Sequence, residues 1–192
     1  MATYRALTTV PLLVRQALAL AERLEFASSC TPEVGRLLAA LAAHVPRGTI
    51  GEVGTGYGVG TAWLASALVP TSRLVTVERD VARATSARDL FVALDKVQVL
   101  SGDWRALLPY GPFDLLFADT PTKRDEPKAL LAALRPGGML VLDDLTPEEH
   151  WPPAWRGQPD PVRDFWLNDP RLRATELLTT PTSAVIVATR LI

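Results

Sequence analysis

The stretch Glu52-Val53-Gly54-Thr55-Gly56-Tyr57-Gly58-Val59-Gly60 decides how the chain is read. It follows a short apolar run, TIGEV at 49–53, and leads into a helical pattern at about 59–69, so it is the turn between a strand and a helix. Glycines permit positive φ and let a ligand come close to the backbone, while the helix that follows presents free N–H groups. A nicotinamide-dinucleotide turn requires Gly-x-Gly-x-x-Gly. Here the spacing is Gly-x-Gly-x-Gly with an acidic residue two before it, and counted from Gly56 the last glycine of the dinucleotide pattern falls on Thr61. That spacing disfavours a nicotinamide-dependent oxidoreductase.

Outward from this turn, short apolar runs at 73–78, 96–100, 113–119 and 138–144 alternate with helical patterns at about 80–94 and 124–134. Strands apolar on both faces and separated by helices indicate a parallel sheet covered on each side. The closing pair, 173–180 and 183–191, has only a short proline-containing turn between its members, so it is expected to pair antiparallel at one edge. Upstream, Val10, Leu13, Val14, Ala17, Ala21 and Leu24 recur at helical spacing over about 9–26, and Thr31-Pro32-Glu33 reads as an N-cap opening a second helix through about His44. The expected fold class is α/β: Rossmann-like, with a mainly parallel seven-stranded sheet, an antiparallel C-terminal hairpin and helices on both faces. Residues 1–192 form one domain in this reading, with N-terminal helices over 1–45 and the core over 46–192. Ligands of such sheets sit outside the carboxyl ends of the strands, where strand order reverses.

The 192 residues suffice for one core without disulfides. Lys and Arg number 20 against 21 acidic residues, a net charge of −1 that offers no electrostatic case for a nucleic-acid or membrane partner. The lone Cys30 has no intramolecular partner, no secretory leader is recognised, and no window approaches eighteen uninterrupted apolar residues, so a cytoplasmic protein is expected.

The glycine turn resembles the first motif of class I S-adenosylmethionine-dependent methyltransferases, and the chain follows that family in order. The resemblance implies that Glu52, Gly54, Thr55, Gly56 and Gly58 line the donor pocket. It further implies that Glu78, closing the second strand, accepts both ribose hydroxyls of the donor, a task that suits one carboxylate. Within Ser101-Gly102-Asp103-Trp104, Asp103 would accept from the exocyclic amine of adenine and Trp104 would lie beside the ring. As readings without a ligand, Glu78 is a solvated strand-end charge and Trp104 a core residue.

Thr31–Leu38, Phe113–Asp119 and Arg135–Asp144 narrow the resemblance to the bacterial O-methyltransferases related to catechol and caffeoyl-CoA O-methyltransferases. There, by position, Asp119, Asp143 and Asp144 would bind a divalent cation such as Mg²⁺, Asp144 standing where the family has asparagine. A hard cation with oxygen ligands chelates adjacent acceptor oxygens and makes one easier to ionise. Asp119 also faces the donor in this reading. Lys123 is the candidate general base, displaced by one residue from the family's lysine, which would fall at Thr122. The segment from Leu145 to Trp155, rich in proline and tryptophan, is expected to overhang the pocket as a lid or to be a packed surface loop. His150 within it is a candidate base or a bystander, and the helix dipole accounts for His44.

The expected function is methylation of a small hydroxylated acceptor at oxygen, with S-adenosylmethionine as cofactor. A tRNA wobble-uridine methyltransferase is the second reading, disfavoured because the arginines are dispersed. A donor-binding protein without catalysis is a third, and the three aspartates argue against it. The apolar stripe of the N-terminal helix, outside the β-α core, suggests a homodimer.

Overall fold

Strand β1 (Gly48–Val53) is hydrogen-bonded on both sides, parallel to β2 (Ser72–Glu78) and to β4 (Phe113–Ala118). The structure is a computed structural model and describes residues 9–191. Beyond β2 lies β3 (Val97–Ser101), and beyond β4 lie β5 (Leu134–Leu145), β7 (Ser183–Arg190) and β6 (Leu172–Thr180). The seven strands take the order β3-β2-β1-β4-β5-β7-β6, with β7 antiparallel to both neighbours and the rest parallel. The expected architecture is therefore observed, and the order reverses between β1 and β4, beside the glycine turn.

Along β4 the alternation of period two is plain: Leu115 and Phe117 enter one core cluster with Leu38, Ile50 and Leu64, while Leu116 and Ala118 enter another with Val77, Leu140 and Trp166. Helices cover both faces: α3 (Val59–Ser66), α4 (Val81–Phe91), α5 (Thr122–Asp125), α6 (Pro127–Ala132) and α7 (Pro161–Asn168) follow successive strands or loops. The predicted helix at 124–134 is two pieces, because Pro127 cannot donate to the preceding turn and opens α6 instead. Strand β5 starts four residues ahead of its predicted start at 138, taking Arg135-Pro-Gly-Gly into the strand.

Ahead of the sheet stand α1 (Leu12–Arg23) and α2 (Pro32–Ala43). Thr31 Oγ1 accepts from the Val34 amide at 3.3 Å, as its sequence position predicts. The stripe of α1 is used within the chain: Val14, Ala17 and Ala21 are buried with Val59, Ala62 and Phe91 of α3 and α4. The reason given for a homodimer, a stripe standing outside the core, is thus corrected.

Candidate active site

Gly54 has φ +100°, and a Cβ there would lie 3.0 Å from the Asp119 carbonyl, so only glycine lets the turn pass the end of β4. Gly58, at φ +88°, occupies the N-cap of α3. The amides of Gly54 and Thr55 donate to the Val77 carbonyl at 3.0 and 3.2 Å, and the Thr55 and Thr76 hydroxyls are 2.6 Å apart. Glu78 is 7% exposed; its two carboxylate oxygens accept from the amides of Gly56 and Asp80 at 2.8 and 2.9 Å. It is thus a fixed acceptor, with lone pairs left for a ligand, and the reading of Glu78 as a solvated strand end does not fit.

Glu52 lies beneath the turn with 0% exposure. Thr61 donates to its Oε2, while Oε1 is buried with no hydrogen-bond partner among the described residues. Burial pushes its carboxyl up to about 7, against the lowering effect of the Thr61 and Thr76 hydroxyls. A cavity of about 280 Å³ above this floor is lined by Glu52, the glycine turn, Glu78 and Asp119.

A second cavity, about 330 Å³, shares Gly54, Glu78 and Thr120 with the first and continues to Asp103 and Trp104. Asp103 caps a 3-10 turn at Trp104–Tyr110, accepting from the Arg105 amide and guanidinium at 3.0 Å each, which holds its carboxyl below the ordinary range. Trp104 is 7% exposed, a core residue with one face on the cavity; its indole N–H donates to Glu126 at 3.1 Å.

A third cavity, about 750 Å³, meets the first at Asp119, Thr120 and Asp144. Asp119 follows β4. Asp143 and Asp144 stand in an irregularity of β5 between Leu142 and Leu145, where Asp144 takes φ +58°. Such a bulge re-aims side chains. Asp144 lines both cavities, whereas Asp143 is buried, lines neither, and accepts from the Asp144 amide at 2.9 Å. Burial, then the Asp144 and Asp143 charges, hold the Asp119 carboxyl well above its ordinary value, with Lys123 opposing. Asp143 is pushed up to about 6, chiefly by burial. The Lys123 ammonium donates to the Asp143 carbonyl, and its own carbonyl accepts from the Trp166 indole at 2.8 Å. Among the described residues no group of three or more His, Cys, Asp or Glu is placed to hold a metal. His150 lies on the rim, 2.8 Å from the Pro181 carbonyl, and His44 is the C-cap of α2.

Several lining residues lie outside the sequence reading. Phe26, Ser28, Ser29 and Cys30, between α1 and α2, close the first cavity, with Arg83 stacked 4.9 Å from the centroid of Phe26. No motif marks them. Glu126 and the α7 residue Arg163 were also missed, although Asp160-Pro161 carries the capping signal that would have found that helix.

Residues 52–145 match the model of a family described as a methyltransferase domain. Among its relatives is a catechol O-methyltransferase of Niastella koreensis, 34% identical over 62% of this chain and 59% of the relative. Another is a protein-L-isoaspartate O-methyltransferase of Ignicoccus hospitalis, 37% identical over 53% of this chain and 49% of the relative. The chain thus spans about half to three fifths of the length of these relatives. Among solved structures, the O-methyltransferase TomG of Streptomyces achromogenes, involved in tomaymycin synthesis and in complex with SAM, superposes with a TM-score of 0.79. That pair is 25% identical, over 98% of this chain and 93% of TomG.

Proposed function

We propose that the chain transfers the methyl group of S-adenosylmethionine to an oxygen of a small-molecule acceptor. The observation that carries this reading is the meeting of two kinds of cavity at Asp119, Thr120 and Asp144: a two-part cleft against the glycine turn, and a larger chamber beyond it. The cleft suits a nucleoside donor, with Glu78 for the ribose hydroxyls and Asp103 with Trp104 at the base. The donor's sulfonium methyl would then face the chamber, beside acidic groups that suit a cation. The acceptor oxygen attacks the methyl carbon in line as the carbon–sulfur bond breaks, its electron pair passing to sulfur. Asp119 in its carboxylate form, made a stronger base by burial and by the Asp144 and Asp143 charges, takes the hydroxyl proton, and the Lys123 ammonium favours the developing oxyanion. Orientation of the two reactants contributes roughly 7–11 kcal/mol in well-aligned cases.

A divalent cation is part of the proposal in narrowed form. Asp119 and Asp144, facing the junction, would hold it. Asp143, turned to a backbone amide, is not a third ligand in this arrangement. When bound, the ion would ease ionisation of an acceptor hydroxyl. The single cysteine suits a reducing compartment, and we place the protein in the cytoplasm. No described helix is long and apolar enough to cross a membrane. A homodimer is also inferred, now from Leu12, Leu18 and Leu24 of the α1 region, which stay exposed; light scattering at micromolar concentration tests it.

The deciding experiment is calorimetric titration with S-adenosylhomocysteine, followed by transfer of labelled methyl to catechols and to tRNA. Uptake by catechols is expected. Failure to bind S-adenosylhomocysteine refutes the donor, and uptake by tRNA alone refutes the small-molecule acceptor.

A further inference from the structure

The segment between β5 and α7 is a built wall of the 750 Å³ chamber. The Trp151 indole and the Arg163 guanidinium both donate to the Thr146 carbonyl, at 2.8 and 2.9 Å, and Arg163 stacks 5.4 Å from the centroid of Trp151. Arg156 donates to the carbonyls of Trp151 and Glu149 at 3.1 and 2.9 Å, and Glu148 accepts from the Gly157 amide at 2.8 Å. Arg163 is itself paired with Asp160 and Glu176 at 2.5 and 2.6 Å.

Trp155 stands on this frame in a different condition. Its backbone is fixed, the amide donating to Pro152 at 2.9 Å and the carbonyl accepting from Gln158 at 3.0 Å. Yet Trp155 is 63% exposed on the chamber wall, and among the described residues its indole N–H has no hydrogen-bond partner and its ring no aromatic or cationic one. A fixed backbone beneath an uncovered aromatic face is a platform for a flat apolar ligand.

Size and charge narrow that ligand. An apolar cavity of about 150 Å³ holds one benzene ring, so the chamber has room for an acceptor of more than one ring. The arginines of its wall are already paired with carboxylates, Arg124 with Asp125 and Arg163 with Asp160 and Glu176, while Lys123 is held on the Asp143 carbonyl beside the place of the reacting oxygen. An acceptor bearing phosphates would find no arginine there free of a carboxylate partner.

We infer that Trp155 is a specificity-determining residue, selecting an uncharged acceptor whose hydroxyl is carried on two or more aromatic rings. The inference rests on the methyl-transfer reading above. Its test compares catechol with 2,3-dihydroxynaphthalene, two vicinal diols that differ by one ring, titrated into protein saturated with S-adenosylhomocysteine. The wild type should bind the naphthalene diol about tenfold more tightly. Trp155→Ala should abolish that ratio by weakening the larger diol alone, and Trp155→Phe should keep most of it. Affinity for S-adenosylhomocysteine should be unchanged in both variants, which shows them folded. A ratio near one in the wild type, or one that Trp155→Ala leaves intact, overturns the inference. Methyl transfer with a ratio indifferent to Trp155 sinks this inference alone. Trp155-dependent binding without transfer to either diol sinks the methyl-transfer reading and leaves the residue's role supported.

Discussion

A carboxyl stripped of water holds its proton more tightly, and Glu52 puts that rule under the glycine turn. Its raised value, about 7 against 4.5, means that between those limits the folded protein keeps a proton that the unfolded chain gives up. The stability so gained is full below 4.5 and is lost as the pH rises through 7. A rise of that size is worth on the order of 3 kcal/mol. Glu52→Gln should therefore gain melting temperature relative to wild type between about pH 5 and about pH 8. A difference that does not change with pH would show that Glu52 is ionised throughout. Glu78 belongs to the same scale with the opposite role, because both its oxygens already fix the turn. Glu78→Ala should weaken binding of S-adenosylhomocysteine by about 1.5–3 kcal/mol, the range for hydrogen bonds to charged groups. An unchanged dissociation constant would make its role purely structural.

Among the elements, α7 and the end of β5 depart furthest from the sequence reading. Asp143-Asp144 was legible as a strand-end pair, but which aspartate faces the chamber depends on a bulge set by pairing with β7, which no local pattern reports. Asp144→Asn should thus lower any affinity for Mg²⁺ more than Asp143→Asn does, the reverse of what the family's asparagine at that position suggests. Calorimetry with Mg²⁺ on both variants decides, and a larger loss in Asp143→Asn would return the ligand role to Asp143. Helix α7 was hidden by the prolines and tryptophans of the segment ahead of it, which read as loop, and its tie to the site runs through the fully buried Trp166. Trp166→Phe keeps most of the volume but strands the Lys123 carbonyl, at about 1–3 kcal/mol. Trp166→Ala also opens a cavity, at about 3–5 kcal/mol. Urea unfolding should rank them so, with methyl transfer reduced in the phenylalanine variant because Lys123 has lost its anchor.

At the scale of the molecule, the strand-end residues could be located from sequence because a parallel sheet gathers one end of every strand. Glu78, Asp103 and Asp119 are such cases. The cover formed by Phe26–Cys30 was not legible, since it depends on where α1 docks against α3 and α4. That docking has a thermodynamic consequence. The cleft draws on the α1–α2 linker, the turn after β1, the ends of β2 and β3 and the loop after β4, so a ligand held there ties the N-terminal helices to the sheet. Bound only by the folded chain, S-adenosylhomocysteine at about 100 times its dissociation constant should stabilise by about 2.7 kcal/mol. For a chain of this length that raises the melting temperature by roughly 5–10 °C. Nicotinamide dinucleotides should leave it unmoved, because the glycine spacing offers their pyrophosphate no cradle. The transition should also stay single, since the linker and the sheet share one ligand. Stabilisation by NAD alone would overturn the donor assignment, and a transition that splits on adding S-adenosylhomocysteine would show that the linker takes no part in holding it.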